Sequence, residues 1–163
     1  MMSKERNGTM EKGEHCTAVV LAGGSGSRMK SNVAKQFMQL GEKPLLWYSL
    51  QAMQQSEIID ECILVVGDAS GPENRETLEY VRREILERYS FTKVTAVVKG
   101  GTERCWSVES AMALLRSRFP DKEESLGYVF IHDSARPFLT EEIIRRTYEA
   151  VKQYHACVAA MPS

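Results

Sequence analysis

No stretch of the 163 residues approaches the roughly 20 consecutive apolar side chains that a membrane-spanning helix requires, and the N-terminal segment lacks the apolar centre of a secretory leader. The expectation is a cytoplasmic protein. There is no excess of charge either: 21 Lys and Arg against 22 Asp and Glu leave a formal net charge of −1. With the cations dispersed, nothing marks a nucleic-acid or anionic-membrane partner. The four cysteines, Cys16, Cys62, Cys105 and Cys157, are far apart and mostly in apolar strand-like contexts. Neither a zinc knuckle nor a redox pair is written there, and reduced, packed thiols are expected.

Two familiar glycine loops are also missing. No Gly, four residues, Gly-Lys-Ser/Thr string occurs, which excludes a P-loop. A dinucleotide fingerprint would need a third glycine at position 29, which is Met29. An NAD-binding domain is disfavoured accordingly.

What is present is Thr17-Ala18-Val19-Val20-Leu21-Ala22 running into Gly23-Gly24-Ser25-Gly26-Ser27-Arg28-Met29 and on to Ala34-Lys35-Gln36. The apolar, β-branched run has the character of a strand buried on both faces of a parallel sheet. Glycines without Cβ let backbone N–H groups approach phosphate oxygens closely. Arg28 brings a donor fork and Lys35 a compact charge on a flexible stem. The stretch reads as a triphosphate seat; the plainer alternative is a tight turn with incidental surface cations.

Further along, strands alternate with helices. Met1 to His15 has the composition of a flexible tail, and residues 16–163 that of one nucleotide-binding α/β domain. Pro44 can open a helix through about Gln54, with Leu46, Leu50 and Met53 on one face. A strand over Ile58 to Val66 stops at Gly67-Asp68, and a helix fits Glu73 to Tyr89. Lys93 to Val98 is a strand, Thr102 to Ser117 opens and fills a helix, residues 120–127 form a surface loop, and Tyr128 to His132 is a strand. Thr140 can cap a helix that carries Glu141 and Glu142 in its first turn, and Ala156 to Met161 reads as a final strand. The alternation implies a three-layer α/β fold, a mostly parallel sheet with helices on both faces.

In such a sheet ligands bind outside the carboxyl ends of the strands. Three loops leave those ends, 23–36, 100–107 and 133–137, and each carries groups suited to a nucleotide. Ser107 could bond a base or ribose, or serve as a helix-capping or first-turn serine. Arg104 could reach the ligand or hold the loop through carbonyls. Asp133 sits where a hard cation would bridge carboxylate and phosphates, or pairs with Arg136. His132 reads as a satisfied packing residue rather than a base.

Taken together, Ala22 to Met29 with Lys35-Gln36, then Gly100-Gly101-Thr102-Glu103-Arg104-Cys105-Trp106-Ser107-Val108, then His132-Asp133-Ser134-Ala135-Arg136-Pro137, resemble the three signatures of the 2-C-methyl-D-erythritol 4-phosphate cytidylyltransferase family of the non-mevalonate isoprenoid pathway. The resemblance covers residues 17–163. It implies a Rossmann-like nucleotidyltransferase fold and transfer of CMP from CTP to methylerythritol phosphate, with release of pyrophosphate. It further implies that Ala22, Gly23, Gly24, Ser25, Gly26, Arg28 and Lys35 hold the triphosphate, with Arg28 and Lys35 catalytic. Gly101, Thr102 and Ser107 would contact cytosine and ribose, Arg104 would support that loop, and Asp133 would bind Mg2+.

Two departures stand out. Ala34 occupies a position where the family often has proline, and family members continue past Ser163 with a dimerising arm, acceptor-binding residues, a second metal-binding aspartate and the last sheet strands. The resemblance thus implies the nucleotide-binding part of a homodimeric enzyme, truncated at its C-terminal end. Ribitol-5-phosphate cytidylyltransferases share all three signatures, and a non-catalytic CTP-binding fragment is a further alternative.

Overall fold

A computed structural model describes residues 14–23, 35–68, 73–118 and 126–160, with Lys35, Asp68 and residues 73–76 described by their backbone only. The first strand, β1 (Cys16–Ala22), is buried along its whole length. A 3-10 turn at Lys35–Phe37 leads through a two-residue hairpin, β2 (Gln39–Leu40) and β3 (Lys43–Pro44), to α1 (Leu45–Gln55). Then come β4 (Glu61–Asp68), α2 (Glu73–Tyr80) continued by a π-helical stretch Val81–Glu87, β5 (Val94–Gly100), α3 (Arg104–Arg118), β6 (Tyr128–Asp133) and α4 (Glu141–Tyr154).

The main sheet is wholly parallel in the order β5-β4-β1-β6. Side chains of the central strands divide with period two, as the pleat requires. Cys16, Ala18, Val20 and Ala22 of β1, with Cys62, Leu64 and Val66 of β4, meet α1, the π-helical stretch and α4 on one face. Val19, Leu21, Ile63 and Val65 meet Ala111 and Leu115 of α3 on the other. This placement follows from the handedness of crossovers. The chain steps from β1 outward to β4 and β5, then returns across β1 to β6. The returning connection carries α3, so α3 covers the opposite face from α1. The reversal puts a topological switch point between β1 and β6, where open α/β sheets bind ligands.

The expected three-layer α/β architecture is present, with differences at the ends of elements. β4 starts at Glu61 rather than Ile58: Ile58 and Ile59 are buried, but there the Cys16 N–H donates to the Asp60 carboxylate and the Asp60 N–H to the Cys16 carbonyl, so burial precedes pairing. β5 runs on to Gly100 and β6 to Asp133. Pro44 ends β3 and caps α1 rather than opening it. The helix expected over Glu73 to Tyr89 widens at Val81, where the Arg88 N–H reaches the Arg83 carbonyl five residues back, with Val81 and Ile85 buried.

The strand expected over Ala156 to Met161 is not formed at residues 156–160, which are exposed, Val158 by 89%. Strand-like composition needs a partner edge, and among the described residues β6 pairs with β1 alone. Cys16 and Cys62 are buried thiols, and burial pushes Cys62 up to about 12. Cys105 and Cys157 are exposed, contrary to the packed reading; they lie outside the two central strands. Most of the surface loop expected over 120–127 falls outside the described residues.

Candidate active site

All four parallel strands deliver their carboxyl ends to one edge, and what arrives there is largely bare backbone. Gly23 follows β1, Gly67 lies near the end of β4 at φ 63°, and Gly100 ends β5. A Cβ on Gly100 would stand 2.6 Å from the Gly67 carbonyl oxygen and 2.7 Å from Ser107 Oγ, and one on Gly23 would stand 3.4 Å from that same carbonyl. At Gly100 only a glycine lets the strand ends draw together this closely, whereas at Gly23 the space is that of ordinary contact.

Ser107, in the first turn of α3, closes the wall. Its buried hydroxyl accepts from the Gly101 N–H at 3.2 Å and lies 3.2 Å from the Glu103 carbonyl, to which it donates. The first-turn role foreseen for this serine is therefore realised, and it orders the Gly100-Gly101 turn. Thr102 is exposed in that turn. At Gly101 a Cβ would stand 2.2 Å from that of Trp106, so the turn tolerates no side chain there.

Across the switch point, Asp133 ends β6 in register with Leu21. Its carboxylate is shared by two guanidiniums: Arg104 Nε to Oδ1 at 3.0 Å and Arg136 Nε to Oδ2 at 3.4 Å. The pairing with Arg136 weighed from sequence is present, and among the described residues Arg104 joins it from α3 rather than bonding carbonyls. The carboxylate remains about one-third exposed, at 32%. Among the described residues no three His, Cys, Asp or Glu side chains form a ready-made metal cage.

Of the expected nucleotide residues, the fold brings Ala22, Gly23, Gly101, Ser107, Arg104 and Asp133 to one edge. Gly24, Ser25, Gly26 and Arg28 lie outside the described residues, and of Lys35 only the backbone is described. Three residues of this edge have parts that sequence reasoning did not assign. In the sequence Gly67 marks only the stop of a strand. Gln36, buried, donates from Nε2 to the Ala22 carbonyl at 2.7 Å and so fixes the end of β1. Ser49 of α1 is wholly buried, with Oγ 3.1 Å from His132 Nε2 and 3.3 Å from the Ser134 carbonyl. A signal for Ser49 existed: it is a polar residue on the stripe Leu46, Leu50 and Met53. Burial lowers the His132 pKa and favours its neutral ring, in keeping with a packing role. Ser49 is no nucleophile despite its histidine, because no substrate can reach it.

A parallel sheet whose switch point presents a glycine-walled cradle beside an arginine-flanked carboxylate has the fold of the Rossmann-like nucleotidyltransferases. A family model described as 2-C-methyl-D-erythritol 4-phosphate cytidylyltransferase matches residues 16–163, and the chain belongs to that family.

Curated relatives agree. The 2-C-methyl-D-erythritol 4-phosphate cytidylyltransferase of Lachnospira eligens is 45% identical over 90% of this chain and 57% of its own. That of Lachnoclostridium phytofermentans is 39% identical over 92% and 58%. The chain thus spans under three-fifths of the length of these relatives. The crystal structure of the Francisella tularensis enzyme of the same name shares the fold, with a TM-score of 0.62 at 22% identity, over 87% of this chain and 54% of that one. No helix among the described residues is long and apolar enough to cross a membrane.

Proposed function

We propose that this chain is the CTP-binding part of a cytoplasmic enzyme that transfers CMP from CTP to 2-C-methyl-D-erythritol 4-phosphate. The observation that carries the reading is the convergence of Gly23, Gly67, Gly100 and Ser107 at one end of the sheet, opposite Asp133 with Arg104. That arrangement offers backbone approach for phosphates and an ordered turn for base and ribose.

In the transfer, an oxygen of the acceptor's phosphate attacks the α-phosphorus of CTP in line. The bond from that phosphorus to the bridging oxygen breaks, and pyrophosphate leaves with the electron pair. Arg28 and Lys35 are assigned to stabilise the charge that spreads over the phosphate oxygens, so positioning and electrostatics supply the rate. Gly101, Thr102 and Ser107 are assigned to the nucleoside, where Ser107 Oγ already orders the turn. Asp133 suits Mg2+ in donor chemistry: it is a hard, partly exposed carboxylate, and phosphate oxygens and waters would supply the other ligands. Bound there, the cation would neutralise phosphate charge. Arg104 and Arg136 hold that carboxylate at the site. Homodimeric assembly is proposed for the longer enzyme.

Calorimetric titration with CTP and Mg2+, with ATP and GTP as controls, tests the reading. Cytosine-selective, Mg2+-dependent binding that weakens in Asp133→Asn is expected. A folded chain that binds no CTP, or all three nucleotides alike, would overturn it.

A further inference from the structure

We propose that Ser49 and His132 are positioning residues, a buried serine and a half-buried histidine that hold the Asp133–Arg136 turn so that the Asp133 carboxylate faces the phosphates and cation. The inference rests on the proposed function for what the turn carries.

The turn is pinned from two sides and closed on itself. The Ser134 N–H donates to the Leu21 carbonyl at 3.0 Å, tying it to β1. Ser49 Oγ donates to the Ser134 carbonyl at 3.3 Å and lies 3.1 Å from His132 Nε2. The Arg136 N–H closes the turn onto the Asp133 carbonyl at 3.0 Å. One hydroxyl of α1 therefore touches both the imidazole beside Asp133 and the carbonyl just after it.

Packing does not require this pair. Leu46, Leu50 and Met53 already fasten α1 to the sheet, and a serine adds little apolar area. Buried hydrogen-bonding groups are costly unless satisfied, and when satisfied they fix direction. The direction fixed here is that of the turn bearing both Asp133 and Arg136. Because α1 follows the glycine loop and its exit at Lys35–Phe37, Ser49 also ties the turn to the helix leading from the triphosphate side.

The test compares Ser49→Ala, His132→Phe and His132→Gln, the last retaining a polar nitrogen near the position of Nε2. Two readings are taken: hydrogen exchange at the Ser134 and Arg136 amides without ligand, and the Mg2+ concentration that half-saturates CTP binding. In Ser49→Ala and His132→Phe, exchange at those two amides should accelerate about tenfold while α3 amides hold, and the Mg2+ requirement should rise roughly tenfold. His132→Gln should recover most of both.

Unchanged exchange in folded variants would overturn the inference. So would faster exchange with an unaltered Mg2+ requirement, since the pair would then serve stability alone. If the parent chain itself binds no CTP, the proposed function fails; local acceleration rescued by His132→Gln would still establish the pair's hold on the turn, and unchanged exchange would refute it.

Discussion

At Gly100 the nearest obstacles to a side chain are the Gly67 carbonyl oxygen and Ser107 Oγ, each within 2.7 Å of where a Cβ would stand. The carbonyl belongs to β4 backbone and cannot swing aside. Gly100→Ala should therefore cost about 1–3 kcal/mol in urea unfolding and weaken CTP binding with it; an unshifted midpoint would contradict the close approach. Arg104 offers the opposite case. Its pair with Asp133 is well exposed, so Arg104→Ala should change stability by less than about 1 kcal/mol while lowering CTP affinity in calorimetry. A large stability loss would make it a structural residue. The glycines at 23 and 100–101 were legible from their spacing after apolar runs. Gly67 was not, because nothing local says which strand end will lie beside which.

Helix α4 shows what local chemistry settles at the scale of an element. Thr140, extended at φ −119°, accepts from the Ile143 N–H at 3.3 Å, and Glu141 and Glu142 fill the first turn. Thr140→Ala should destabilise by about 1 kcal/mol in thermal or urea unfolding and Thr140→Ser should retain most of that, which equal losses would refute. At the other end His155 takes the left-handed conformation at φ 62°, and the chain leaves the helix there. The next segment, residues 156–160, had a strand's composition and no strand's structure. A cap is made within four residues, whereas a strand is made only with a neighbour.

Across the whole molecule, the edge opposite the candidate site is held by charge. Glu61 at the start of β4 takes His15 Nε2 at 3.2 Å and Thr17 Oγ1 at 3.3 Å on one oxygen, Arg118 at 2.8 Å and the Thr95 hydroxyl on the other. Burial alone would raise its pKa, but the bonds from Thr95 and His15 and the Arg118 charge outweigh it and hold the group below its ordinary value of 4.5. A carboxyl with a depressed folded pKa stabilises fully above its unfolded value and loses that contribution as pH falls through the folded one. Unfolding free energy should thus decline as pH drops below about 4.5, and Glu61→Gln should flatten that limb; parallel profiles would remove Glu61 from the acid response. In the core, Leu64→Ala on wholly buried β4 should cost about 2–5 kcal/mol in the same assay.

The sequence by itself determined the order of the four strands of the main sheet and of the helices between them, the unbroken apolar runs of β1 and β4, the Thr140 cap and the three polar loops. Each of these rests on neighbours within a few residues, and backbone sterics and burial preference act over that range. Tertiary structure alone decided that β6 returns to the far side of β1, and hence that Asp133 meets Arg104 rather than only Arg136. It also decided that Ser49 finds His132 across 83 residues of chain, and that Gly67 becomes a wall of the cradle. Such pairings depend on which strand ends share an edge, and that is set by sheet order and crossover handedness, which no local stretch of residues encodes.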